Sequence, residues 1–177
     1  MRVFCLVLMC VLASTAALVP SMSSAAPAGA GELMPFKRDL MAALTLGLEG
    51  GTVAAVDACQ LVAPGLPATH AERGFEVGRT SDRLRNPDNA PPDWVAPVLA
   101  GMVAGEIEVS PQQVSLADGR LGYLEPIRVG GMCLQCHGND LAPGVAAALD
   151  ARYPSDQARG YAVGDLRGLF WLVPAAE

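Results

Sequence analysis

Five residues, Cys133-Leu134-Gln135-Cys136-His137, constrain this chain more than any others in it. The order C-x-x-C-H is the attachment signature of a c-type haem. The two thiols can add across the porphyrin's vinyl groups, and the adjacent imidazole is held under the iron as an axial ligand. Aromatics make up only 5% of the chain while Ala, Gly and Pro are plentiful, so a flat ring would supply apolar volume that the side chains do not. The haem-free form is expected to be less stable.

The same cysteines admit other chemistry, because C-x-x-C alone suits half of a zinc site or a thioredoxin-like dithiol. Zinc wants four N or S ligands. Beyond the N-terminal segment the chain offers Cys59, Cys133, Cys136, His70 and His137, with neither a second C-x-x-C nor an H-x-x-x-H partner. A dithiol centre is expected after a strand, at a helix N-terminus, whereas Gly130-Gly131 precede these cysteines and His137-Gly138-Asn139-Asp140 follow them. Haem is the favoured reading, with a structural disulfide or a haem-free dithiol/disulfide redox protein as the alternative.

Arg2, an apolar run from Val3 to Val19 and the small residues Ser21-Met22-Ser23-Ser24-Ala25-Ala26 read as a secretory signal peptide. Residues 1–26 are assigned to it, with cleavage after Ala26 or Ala30, and residues 31–177 to one domain. An uncleaved anchor is the alternative. No other stretch approaches the ~20 apolar residues of a spanning helix, so no membrane span is expected after cleavage. The expected location is periplasmic or otherwise extracytoplasmic, where haem is attached after export.

Without Arg2 the chain keeps 11 basic and 18 acidic residues, a formal charge of 11 − 18 = −7. With no basic stripe and a single lysine, Lys37, it does not read as a nucleic-acid binder. Loss of Cys5 and Cys10 with the signal leaves Cys59 over once haem takes two thiols, and an odd thiol in an exported protein needs an explanation.

Apolar residues at i+4 spacing, Phe36, Leu40, Leu44 and Leu48, predict an amphipathic helix starting at Pro35 and broken by Gly50-Gly51. A second helix is expected from Thr52 to Ala63, ended by Pro64, with Val56, Cys59, Gln60 and Ala63 on one face. A further turn is expected over Thr69–Arg73, a short strand over Gly74–Gly78, and a long loop from Arg79 to Trp94 with work to do. A helix follows over Val95–Val103. Asp118-Gly119 between Gln113–Leu116 and Leu121–Leu124 predicts a hairpin, extended by Ile127-Arg128-Val129. Val145–Tyr153 reads as a helix and Leu169–Val173 as a buried last strand. Helices first and antiparallel strands later give an α+β class.

The residues resemble a family of exported c-type haem domains with a PAS-like fold, long catalogued as a domain of unknown function. The resemblance rests on Val56-Asp57-Ala58-Cys59 with Ala63-Pro64, Gly78-Arg79-Thr80-Ser81 with Arg85-Asn86-Pro87, and Asn89-Ala90-Pro91 with Trp94. It continues through Cys133-Leu134-Gln135-Cys136-His137-Gly138, Tyr153-Pro154, Gly160-Tyr161 and Gly164-Asp165-Leu166-Arg167-Gly168. It implies a PAS-like antiparallel sheet with N-terminal helices, one covalent haem c on Cys133 and Cys136, and His137 and Cys59 as the two axial iron ligands. On the residues alone Cys59 would more often be a small buried hydrophobe. Two departures stand out. Val95 occupies a place that is usually acidic, which weakens the expectation of a hydrogen bond near Trp94. Leu169-Phe170-Trp171 are bulkier than the family's usual small residues, which suggests a repacked strand, against a haem edge or a partner.

Arg79, Arg83, Arg85 and Arg167 are candidate partners for haem propionates, against a reading in which they only brace loops. His70 and Met102 are substitute iron ligands if Cys59 is not one, although His70 reads better as an exposed helix-start residue and Met102 as core. Asn86 and Asn89 are expected to brace the loop through side-chain to backbone hydrogen bonds. A thiolate and a histidine on one iron leave no open site, which argues against oxygen storage or peroxide turnover, and anionic sulfur lowers the reduction potential. A redox or ligand sensor is the first functional expectation, with a periplasmic electron-transfer cytochrome as the alternative. An enzyme is not expected, since no acid/base or nucleophile constellation is present. No kinase, cyclase or chemoreceptor output is recognised, so sensing would need a separate redox or signalling protein.

Overall fold

The computed structural model describes residues 29–176 and is of the α+β class. The segment read as a signal peptide, residues 1–26, lies outside the described residues. Four antiparallel strands run β1 (Phe75–Thr80), β2 (Gln112–Ser115), β3 (Leu121–Arg128) and β4 (Leu166–Pro174) along the chain, and stand in the order β1-β4-β3-β2 in the sheet. The last strand is therefore central, and its residues are apolar on both faces because packed side chains cover the sheet on both sides.

Six helices, α1 (Ala30–Glu49), α2 (Thr52–Leu61), α3 (Leu66–Ala71), α4 (Ala96–Ala104), α5 (Leu134–His137) and α6 (Pro143–Arg152), complete the described part. Side chains alternate across β4, so the sheet packs two cores. Phe170 and Leu172 meet Leu33 and Phe36 of α1 together with Val77 and Tyr123. Leu169 and Trp171 meet Val95, Leu99 and Met102 of the α4 region together with Leu124. The bulky Trp171 fits because a Cβ on its cross-strand partner Gly78 would lie 2.4 Å from its ring. Gly122 makes the same room for Trp94, and the two indoles meet edge to face at 6.2 Å. The repacking expected of Leu169-Phe170-Trp171 is thus internal for Leu169 and Trp171. Phe170 stays half-buried on the α1 side, in register with Arg79 on β1 and Glu125 on β3.

Several boundaries differ from expectation. The first helix begins at Ala30, with Pro35 inside it. Pro35 removes one hydrogen bond near the helix start, and burial of Leu33 against Tyr123 and Leu172 outweighs that loss. The second helix stops at Leu61, and Pro64 sits in a following 3-10 turn, Ala63–Gly65. The first strand runs two residues past Gly78 because Arg79 and Thr80 still pair with Phe170 and Leu169 of β4. The hairpin forms as expected. Asp118 accepts the Arg120 N–H at 3.0 Å, and Gly119 takes φ +84°, a conformation costly to any residue with a Cβ. Among the described residues no helix is long and apolar enough to cross a membrane.

Candidate functional site

The C-x-x-C-H segment is held by its neighbours on both sides. Where β3 ends, Val129 donates to the Asp165 carbonyl at 3.0 Å, and a 3-10 turn over Gly131–Cys133 leads into α5. Cys133 Sγ accepts the Gly130 N–H at 3.3 Å. Residues 156–161 then run back along α5: Tyr161 donates to the His137 carbonyl at 3.0 Å and Gly160 to that of Gly138 at 3.1 Å. From this returning segment the Ala158 carbonyl accepts the His137 Nδ1–H at 2.7 Å. That bond anchors Nδ1 and sets the tautomer, leaving Nε2 unprotonated and free to bind a metal. Burial, with the charges of Arg85 and Arg167, pulls the His137 imidazole down to about 3, so it is neutral at physiological pH, as ligation requires.

The thiols divide between two packing clusters, with Cys133 against Val129, Ala158 and Tyr161 and Cys136 on the side that faces α2 and α6. Cys136 packs against Val56, Val145, Leu149 and Tyr153, a cluster that joins α2 to α6. Cys59 lies on α2 one turn beyond Val56 and is half-buried. Burial pushes the Cys136 thiol up; the Arg85 charge opposes this, while neighbouring Cys59 and Cys133 add to it. An Asp57–Arg152 ion pair ties α2 to α6. Beside it a cleft of about 370 Å³ is lined by Gln60, Arg85, Arg152 and Tyr153.

The arginine-rich stretch after β1 is ordered by Thr80, whose hydroxyl donates to the Asn89 carbonyl at 2.7 Å, and by Ser81, whose Oγ accepts the Arg83 N–H at 3.1 Å. Arg85 Nε reaches Asp156 at 3.1 Å, while its Nη2 reaches the Cys136 carbonyl at 2.5 Å and the Ala158 carbonyl at 3.2 Å. The Arg79 guanidinium has no hydrogen-bond or carboxylate partner among the described residues; burial pushes the Tyr153 hydroxyl up and neighbouring Cys59 adds to this, while the charges of Arg79 and Arg85 oppose it. Arg83 lies 3.6 Å over the Tyr161 ring and Arg167 5.4 Å from it. Two buried polar atoms there have no partner, the Tyr161 hydroxyl and Arg167 Nε.

Other candidates fall elsewhere. His70 is buried rather than exposed and lies at the end of α3, not its start. Its ring packs on Phe36, and Nε2 meets Asp39 at 3.0 Å, because the α1–α3 contact needs a flat side chain with a polar end. Met102 is in the α4 core. Asn86 Oδ1 caps the Pro87–Asn89 turn through the Asp88 N–H at 3.1 Å, whereas Asn89 contributes its main-chain carbonyl to Thr80 rather than its side chain. Sequence reasoning missed Asp156 and Ala158, which carry no motif. It used Tyr161 only as part of a pattern, although a tyrosine after a glycine near the site was a usable signal.

The donor set fits the covalent haem that the motif implies. Two free thiols flank a neutral histidine whose Nδ1 is already bonded, and orphaned donors with uncompensated guanidiniums suit a ring bearing carboxylates. No curated protein sequence matches the chain. Among solved structures it is similar to the cyanobacterial heme-protein Tll0287, with 26% identity and a TM-score of 0.61 over 83% of this chain and 92% of that one. A family model described as Tll0287-like matches residues 26–173, and the chain belongs to that family.

Proposed function

We propose that the chain is an exported haem protein with one haem c joined to Cys133 and Cys136, whose iron is held by His137 and Cys59 in a PAS-like domain that senses redox state or a ligand. The observation that carries the reading is the His137–Ala158 bond, which leaves one imidazole nitrogen for a metal directly beside two free thiols. The heme-protein description of the similar structure supports it. Cleavage after Ala26 would keep α1 whole, whereas cleavage after Ala30 would remove its first residue.

When bound, the haem supplies a one-electron iron couple. His137 presents Nε2, and Cys59, as a thiolate, favours the ferric charge. Arg79, whose guanidinium has no partner among the described residues, is the first candidate for a propionate, with Arg85 as the second. Release of Cys59 would loosen α2 from the Cys136 cluster, which gives a sensor its change of shape. A separate redox or signalling protein would receive that change.

A periplasmic electron carrier is the second reading. It is compatible with Met132, which is 47% exposed next to Cys133. Visible spectra of the oxidised and reduced protein separate the two. A change of ligand bands on reduction is expected of the sensor, and one ligand set in both states would contradict it.

A further inference from the structure

Resting on the haem reading, we infer that Tyr161 is a positioning residue for the His137 imidazole and that the two guanidiniums on its ring bias the iron towards its reduced state. The Tyr161 ring meets that of His137 edge to face, with centroids 6.2 Å apart and planes at 87°. The Ala158 bond holds the His137 ring at Nδ1 alone and so does not by itself oppose rotation of the ring about that bond. A second contact at right angles stops it. Tyr161 is itself 3% exposed and packed on Val129 and Ala158, so the stop is rigid.

The position of the charge is as informative as the contact. Arg83 covers the Tyr161 face at 3.6 Å and Arg167 stands 5.4 Å from the ring centre, yet neither has a carboxylate partner among the described residues. Among the described residues the Arg83 guanidinium donates to the Arg159 carbonyl at 3.0 Å and that of Arg167 to the Arg83 carbonyl at 3.4 Å, and both keep their contact with Tyr161. The buried carboxylate nearby, Asp156, is taken by Arg85 and Arg159. Uncompensated cations behind an axial ligand oppose the extra charge of ferric iron, which offsets part of the preference that a thiolate on the other side imposes.

Redox titration and electron paramagnetic resonance of the haem-loaded chain test this on three variants. Tyr161→Leu, which removes the ring, is expected to shift the midpoint potential and broaden the ferric signal. Tyr161→Phe, which keeps the ring edge, is expected to match wild type in both. Arg83→Gln leaves Tyr161 in place and should lower the potential. At the wild-type midpoint its ratio of reduced to oxidised haem should fall about threefold. Wild-type potential and signal in Tyr161→Leu with its haem still covalently bound would overturn the inference, and so would an unlowered potential in Arg83→Gln. The latter decides the matter if Tyr161→Leu does not fold. A wild-type chain that takes up no haem would overturn the reading beneath the inference instead, and is told apart by its missing visible spectrum.

Discussion

Arg85 and Asp156 stand 71 residues apart in sequence, yet Nε of one meets Oδ1 of the other at 3.1 Å. The pair locks the segment that carries Ala158, and so the bond that orients His137. The Asp156 side chain is 2% exposed and also accepts the Ala158 N–H and Arg159 Nε. Removing it leaves a buried guanidinium without its counter-charge. Asp156→Ala is expected to cost about 3–5 kcal/mol, measured by urea unfolding. Asp150→Ala, which strips the exposed partner of Arg159, is expected to cost under about 1 kcal/mol. Equal losses would contradict the assignment.

The same carboxylate sets an acid limb. Burial alone would raise Asp156, but hydrogen bonds from Arg159, Ala158 and Arg85 more than offset it and hold the group below its ordinary value. Its folded pKa is therefore lower than its unfolded one. The stability it contributes is fully present above the unfolded carboxylate value of about 3.9, and is lost as pH falls through the folded value. Urea midpoints followed from neutral pH downwards should drop more steeply for wild type than for Asp156→Asn; parallel curves would contradict this.

What the sequence showed and what it hid follow from the range of the interactions. The Asp118-Gly119 hairpin, the helix from Ala96 and the final strand were legible because turn chemistry and periodicity act over a few neighbouring residues. The start of α1 was not, because Leu33 is drawn in by Tyr123 and Leu172, which are remote in sequence. At the site, C-x-x-C-H announces its own chemistry within five residues. Asp156 and Ala158 matter only through Arg85 and His137, and nothing local marks them. His70 was misread for the same reason: its partners, Asp39 and Phe36, lie on another helix.

Gly78 is a packing requirement of the sheet. A methyl group there would sit 2.4 Å from the Trp171 ring, which is pinned in turn by Trp94. Gly78→Ala is expected to destabilise by about 1–3 kcal/mol and to shift the tryptophan emission spectrum. Wild-type stability and emission would show that the ring has other room.

Cys59→Ser separates ligation from attachment. The covalent haem should remain while the ligand-dependent bands change. His70→Ala and Met102→Leu should leave those bands alone, since one residue holds α3 to α1 and the other lies in the α4 core. An unaltered spectrum in Cys59→Ser would assign the sixth position to another group.

Attachment itself is the claim beneath all others. The most direct test is intact-mass spectrometry of the exported chain from cells able to make cytochromes c, beside a Cys133→Ala/Cys136→Ala variant. Wild type should carry the mass of one haem that survives denaturation, and the double variant should carry none. A wild-type polypeptide of bare mass, folded and with both thiols free, would contradict the account.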